Sequence, residues 1–281
     1  MPYYEDIRQA LDLQKENAGL STITPDDVPI IIPTFNTPTY LKSMIDQLEE
    51  RGWTNVIICD NDSTYPPMVD LLDKLSNNYH VVLWGKNLGP RVYTENKDIC
   101  SRMPKYFILT DPDLLFNKKM PITAINKMKR ILDMYGVSKA GLAIDIDSPD
   151  EIKRFSNPRG VESEERINWS RKIDKYFEKD DLYSAPIDTT FSLYNRDQFL
   201  SEINYVPLRM TCNTSAIRMA GRFTCQHMGY WEDTPLTAEE EEFYKENNFW
   251  SATYFEKKYG DHSLYQKNLK KFYRDGGHGN I

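Results

Sequence analysis

Residues 28–63 read VPIIIPTFNTPTYLKSMIDQLEERGWTNVIICDNDS, and this stretch decides the fold class. Val28 to Ile32 is a short β-branched run bounded by prolines, the pattern of a strand buried on both faces. Thr37 and Pro38 then supply an N-cap and a first-turn proline, and Leu41, Met44, Ile45 and Leu48 recur at helical spacing. Gly52 ends that helix, and Val56 to Cys59 is a second β-branched run. Strand, helix and strand in succession make a βαβ unit, which sets the two strands parallel with the helix across one face.

The alternation continues outward. Pro66 to Leu75 reads as a helix, Val81 to Trp84 as a third strand, and Tyr106 to Thr110 as a fourth, after a polar stretch with helical character from Thr94. Pro121 to Tyr135 carries Ile122, Ile125, Met128, Ile131 and Leu132 on one side, and Ala140 to Ile144 is a fifth strand. Beyond Asp145 the texture changes. Ser148 to Asp181 is charged and loop-rich, with one helix expected around Glu164 to Phe177, and Thr189 to Tyr194 and Ile217 to Ala220 read as further strands. Thr237-x-x-Glu240 is a capping box opening a C-terminal helix with Phe243, Tyr244, Trp250 and Tyr254. Upstream, Ile7, Leu11 and Leu13 mark a polar helix, followed by a linker ending in Pro25-Asp26-Asp27. The expected organisation is an N-terminal helix and linker (1–27), a main domain (28–235, with halves 28–116 and 117–235) and a helical, aromatic-rich extension (236–281). The fold class is α/β, Rossmann-like, with a mostly parallel central sheet flanked by helices.

Composition narrows the function. The 281 residues are 40% hydrophobic and 27% charged, ordinary for a soluble globular chain long enough for one large core. A formal charge of −7 disfavours polyanions, so no nucleic-acid partner is expected. Four cysteines without a C-x-x-C pair fit reduced structural thiols in a cytosolic protein better than disulfides or a zinc site. No apolar run approaches the roughly 20 residues that span a bilayer, and no basic-then-apolar leader opens the sequence, so a cytoplasmic location is expected. Lys257, Lys258, Lys267, Lys270, Lys271 and Arg274 alternate with Tyr254, Phe255, Tyr259, Tyr265, Phe272 and Tyr273. Such a segment either packs its aromatics on the domain with lysines in water, or makes peripheral contact with the inner membrane face.

Ligands of open α/β sheets sit beyond the carboxyl ends of the strands, so the residues after each strand are informative. They are Pro33-Thr34-Phe35-Asn36, Asp60-Asn61-Asp62-Ser63, Gly85-Lys86-Asn87-Leu88-Gly89-Pro90-Arg91 and Asp111-Pro112-Asp113. An aromatic face, carboxylates, amides, a glycine turn and an arginine converging on one rim suit a nucleoside diphosphate. Asp111-x-Asp113 has its own rationale. A departing diphosphate gathers negative charge that a hard divalent cation neutralises, and two carboxylates one residue apart reach a metal and a ribose together. Taken alone, such a pair is also a common solvated turn. Asp145-Ile146-Asp147, with Asp150 behind it, is a second acidic site after an apolar strand, read as a rival metal site, an acceptor-side element or a plain turn.

Together IIIPTFN, VIICDNDST, GKNLGP and YFILTDPDLLF resemble the glycosyltransferases of the GT-A fold, in particular the broad family 2 type, over residues 28–116. The resemblance implies transfer of a sugar from a nucleotide-sugar donor, by preference a UDP-sugar, to a hydroxyl of a glycan or lipid-linked acceptor, assisted by Mn2+ or Mg2+. It implies that Thr34, Phe35 and Asn36 border base and ribose, that Asp60 accepts from the base, and that Asn87, Gly89 and Arg91 line nucleotide and diphosphate. Pro90-Arg91-Val92-Tyr93 departs from the smaller residues usual there. Asp113 would hold the metal directly, with Asp111 on the ribose or a metal-bound water. His227 stands where metal-dependent members place a histidine ligand. An inverting transfer also needs a base near the acceptor hydroxyl. Asp188, just before a β-branched run, fits that need or is a capping or turn aspartate, and Glu232 and Asp233 are similar to the family's Glu-Asp acceptor motif; a retaining transfer needs none of them. A sugar nucleotidyltransferase is an alternative, but it wants a glycine-rich loop where Pro33 to Asn36 stands. A non-catalytic nucleotide-sugar or glycan-binding protein is another.

Overall fold

A computed structural model describes residues 3–4, 6–146, 161–173, 181–205, 208–230 and 235–247. The first half contains β1 (Tyr3–Tyr4), α1 (Ile7–Leu11), β2 (Ile30–Thr34), α2 (Pro38–Glu49), β3 (Val56–Asp60), α3 (Pro66–Leu75), β4 (His80–Leu83), α4 (Val92–Glu95), α5 (Lys97–Arg102) and β5 (Tyr106–Leu109). The second contains β6 (Leu114–Phe116), α6 (Ala124–Tyr135), β7 (Lys139–Ile144), α7 (Val161–Trp169), β8 (Leu182–Ser184), β9 (Ser192–Asn195), α8 (Arg196–Ile203), β10 (Ala216–His227) and α9 (Ala238–Asn247).

The strands form one mixed, mostly parallel sheet in the order β1-β4-β3-β2-β5-β9-β7-β10-β6, with β8 beside β10. From β1 to β5 every pairing is parallel. Then β9 inserts antiparallel to both β5 and β7, β10 runs parallel to β7, and β6 and β8 run antiparallel to β10. Because β2, β3 and β5 are parallel neighbours, their carboxyl ends share one rim, and Thr34 pairs in register with Asp60.

Side-chain alternation explains why these strands read as unbroken apolar runs. Ile30, Ile32, Val56 and Ile58 pack on one face with Leu41, Met44 and Leu48 of α2 and Met128 and Ile131 of α6. Ile31, Ile57 and Cys59 pack on the other with Ile7 and Leu11 of α1, Ile99 of α5 and Phe199 of α8. Each such side chain, fully buried, contributes about 1.5–3 kcal/mol. The cysteines are free thiols. No helix among the described residues is long and apolar enough to cross a membrane.

Several elements differ from the sequence reading for tertiary reasons. Tyr3–Tyr4 adds a parallel edge strand to β4, and Leu114–Phe116 forms a strand only because β10 offers it a partner. The strand read from Thr189 begins at Ser192; ahead of it the Thr189 carbonyl accepts from the Asp111 N–H in the loop after β5, and the Phe191 carbonyl from the Leu142 N–H of β7. The one read as Ile217 to Ala220 runs on to His227. Its register against β7 jumps from Met219↔Leu142 to Thr224↔Ala143, and Gly221, at φ 68°, takes the left-handed turn this bulge requires. The capping box is half formed: the Glu240 N–H donates to Thr237 Oγ1 (3.1 Å), but the Glu240 carboxylate accepts from Thr39 N (3.0 Å) and Oγ1 (2.6 Å) and so caps α2. Trp250, Tyr254 and the basic-aromatic segment lie outside the described residues.

Gly141 lies against Ser192 across β7 and β9, where a Cβ would come 2.5 Å from Ser192 Cβ and 2.7 Å from the Phe191 carbonyl oxygen. Both obstacles belong to the sheet and cannot swing away. Gly141→Ala is therefore expected to destabilise the chain by about 1–3 kcal/mol, read as a lower urea midpoint at unchanged m-value; an unchanged midpoint would contradict the β7–β9 packing.

Candidate functional site

The site is built where β5 ends and β10 ends. Asp111 and Asp113 follow β5, and β6 begins one residue later. Leu114 then pairs with His227, the last residue of β10, and the Met228 N–H donates to the Asp113 carbonyl (2.7 Å). This short antiparallel ladder carries the histidine back to the acidic pair. His227 Nδ1 lies 3.1 Å from Asp113 Oδ2, and His227 Nε2 lies 3.8 Å from Asp111 Oδ2. One donor atom from each of the three residues falls within 4.8 Å of the others, and among the described residues no other His/Cys/Asp/Glu cluster does so.

Gly229 makes room for this arrangement: a Cβ there would stand 2.7 Å from Asp113 Oδ2. The Gly229 N–H donates to the Asp113 carboxylate. Thr189 Oγ1 donates to Asp111 Oδ2 (2.6 Å), and the Asp111 N–H donates to the Thr189 carbonyl (2.9 Å). The three side chains keep 14–18% of their surface open, enough for a ligand to reach them.

Burial raises both carboxyls, to about 7, and the charge of Asp113 pushes Asp111 further while His227 and Thr189 oppose. Burial pushes His227 down, so the imidazole is neutral at pH 7 and able to act as a ligand. Two crowded carboxylates, short of water, beside a neutral imidazole make a donor set that can hold a divalent metal ion.

Along the rim, Thr34 and Asn36 are buried, and Thr34 Oγ1 and Asn36 Nδ2 have no hydrogen-bond partner among the described residues. Each such group costs about 1–3 kcal/mol when left unmade, so both are available to a ligand. Asn36 also has a structural task. It sits at φ 52°, and its Oδ1 accepts from Thr64 N (2.8 Å) and Tyr65 N (2.9 Å), tying the loop after β2 to the loop after β3. Phe35 is half-buried beside it. The Asp60 carboxylate accepts from Ser63 N (2.8 Å) and Ser63 Oγ (2.5 Å), and burial raises it to about 6 against those bonds. Asn61 Oδ1 accepts from Leu88 N (3.1 Å), and Asn87 Oδ1 from Gly89 N (3.0 Å), with Gly89 at φ 81°. Asn61, Thr189 and Gly229 were not singled out by sequence. Asn61 was visible in Asp-Asn-Asp-Ser, whereas the other two gain their roles only from the fold.

Arg91 and Asp188 come together. The guanidinium donates through Nε (3.0 Å) and Nη2 to the two carboxylate oxygens of Asp188, beside the Thr189 that holds Asp111. Glu232 and Asp233 lie outside the described residues, as do Asp147 and Asp150. Asp145 donates its N–H to the Cys225 carbonyl (2.8 Å) and is not part of the three-residue cluster.

No protein-family model and no curated protein matches the sequence. Among solved structures the backbone is similar to S. aureus TarS 1–349 (TM-score 0.38, 13% identity, 67% of this chain and 57% of that one). It is similar to the mannosyltransferase PcManGT from Pyrobaculum calidifontis in complex with GDP-Man and Mn2+ (0.45, 12%, 94% and 74%). It is also similar to GalNAc-T7 with UDP, GalNAc and Mn2+ (0.47, 12%, 95% and 60%). The matches thus span between 57% and 74% of those chains' lengths. These likenesses concern the course of the backbone.

The raised carboxyls fix a pH dependence. The folded chain retains protons that the unfolded chain releases near 3.8, so without metal this pair costs stability as pH rises to about 7. A cation competes with those protons. Mn2+ is therefore expected to raise Tm more at about pH 8 than at about pH 5.5, measured by calorimetry; the reverse order would contradict the site. Gly229→Ala is expected to remove most of the Mn2+ shift, because its Cβ displaces Asp113 Oδ2.

Proposed function

We propose that this chain is a metal-assisted glycosyltransferase that moves a sugar from a nucleotide diphosphate donor, by preference a UDP-sugar, onto a hydroxyl of a glycan or lipid-linked acceptor. The observation that carries this reading is the convergence of Asp111, Asp113 and His227 within 4.8 Å, on the rim shared with Thr34 and Asp60. A phosphate-rich ligand laid along that rim has its diphosphate end at the acidic pair. Mn2+ or Mg2+ held there supplies positive charge against the charge that builds on the leaving diphosphate.

The protein's own groups do the rest. Thr34 and Asn36 offer their unpartnered polar atoms to base or ribose, Asp60 accepts from the base, and Asn87 and Gly89 shape the turn beside the diphosphate. Asp111, anchored by Thr189, faces the ribose or a metal-bound water, and Asp113 with His227 provides the ligand set. Asp188 is the base for an inverting transfer. Arg91 holds its carboxylate in one orientation, and each oxygen keeps a further lone pair for the acceptor hydroxyl. Glu232 and Asp233 remain acceptor-side candidates.

The test is incubation with a panel of UDP- and GDP-sugars and Mn2+, assaying released nucleoside diphosphate. Release that needs the metal and falls by about 100-fold or more in Asp113→Ala is expected. Release of pyrophosphate from a nucleoside triphosphate and a sugar phosphate would favour a nucleotidyltransferase. Tight donor binding with no release, even with acceptor glycans present, would favour a binding module.

A further inference from the structure

Between β8 and β9 the chain passes through Pro186 to Thr189 without strand pairing, yet four consecutive carbonyls are tied to three different strands and the loop after β5. Pro186 O accepts from Arg218 Nε of β10 (2.7 Å), and Ile187 O from Lys139 Nζ of β7 (2.6 Å). Asp188 O accepts from the Tyr194 hydroxyl of β9 (3.3 Å), and Thr189 O from the Asp111 N–H (2.9 Å). Connecting segments ordinarily spend such groups on water.

Lys139 is the member that needs a reason. It is fully buried, and its ammonium also donates to Thr211 O (3.1 Å) and Cys212 O (3.0 Å), so three donors meet three carbonyls. Those two carbonyls belong to a helical turn, Leu208–Asn213, where Thr211 Oγ1 lies 3.5 Å from Thr94 Oγ1 of α4, the helix that Arg91 caps. One buried charge thus grips the peptide before Asp188 and the turn against Arg91's helix. A methionine would fill the same volume without the desolvation cost, so packing alone does not call for an ammonium.

We propose that Lys139 is a positioning residue, with Arg218 as its neighbour, that fixes the Ile187–Asp188 peptide and so aims the Asp188 carboxylate at the site beside Asp111. The proposal rests on the reading of Asp188 as the base. Arg218 is itself committed to a buried ion pair with Glu165 (2.5 Å), which keeps that side of the segment fixed. Burial lowers Lys139 to about 8, against the charges of Asp188 and Glu202 and with that of Arg218, beside the Cys212 thiol that burial keeps protonated. Once neutral, the amine has two donors for three carbonyls and the grip weakens as pH rises.

The test compares wild type with Lys139→Met in metal-dependent UDP release between about pH 6.5 and about pH 9.5, alongside calorimetric binding of UDP with Mn2+. Expected are UDP–Mn2+ affinities within about threefold of each other, a turnover about 100-fold lower in the variant, and an alkaline fall in kcat near pH 8 in wild type that the variant lacks. Equal turnover, or a loss of turnover matched by an equal loss of UDP–Mn2+ affinity, overturns the proposal. If Lys139→Met does not fold, the wild-type profile decides: a fall in kcat near pH 8 at constant UDP–Mn2+ affinity supports it, and a kcat flat to about pH 9.5 overturns it. A wild type that binds UDP and Mn2+ but turns over no donor would sink the transferase reading itself, a result distinct from the others.

Discussion

Asp111 and Asp113 stand at the end of a buried strand with a neutral imidazole beside them and little water to carry their charge. At the observed limit of 4.8 Å, two unit charges repel by about 3 kcal/mol at an effective dielectric of about 20. The pair must therefore hold a proton or meet a cation. A chain gains nothing in stability from such a pair, and the surroundings keep it in place all the same. Gly229 yields its side-chain volume to Asp113, Thr189 clasps Asp111, and the β6–β10 ladder holds His227 against both. That constraint organises the second half of the molecule around the end of the first.

The rim next to it is equally fixed, by local geometry rather than by charge. Asn36 and Asp62 occupy left-handed backbone conformations, which asparagine and aspartate tolerate better than other non-glycine residues. Asn36 caps the chain entering α3, while Asp60 and Ser63 close their own turn. The loops after β2 and β3 thus reach a ligand already shaped, which limits the ordering that binding must supply. The transferase reading depends on this preorganisation as much as on the acidic pair.

Much of the parallel half was legible because its signals are local. The β-branched runs at Ile30 and Val56, Pro38 and Pro66 at helix starts, and Gly52 in a left-handed turn each act within a few residues of themselves. The proximity of Asp113 and His227 was expected from resemblance alone; its physical cause, a ladder between a three-residue strand and the tail of a bulged one, has no local signature. The partnership of Arg91 with Asp188 was equally hidden, since each residue read separately as a phosphate contact and a turn or base. Lys139 lies just ahead of the strand read as Ala140 to Ile144, and only its three carbonyl partners reveal it as a buried cation. The half-formed capping box shows the same limit: Glu240 had a local partner in prospect and took a distant one, Thr39.

Anomalous diffraction from a crystal soaked with UDP and Mn2+ tests the central claim most directly. The account predicts a single manganese peak contacted by Asp113 and His227, with Asp111 beside it and the diphosphate reaching the ion from the Thr34–Asp60 rim. A peak away from these three side chains, or a nucleotide bound on another face of the sheet, would contradict it.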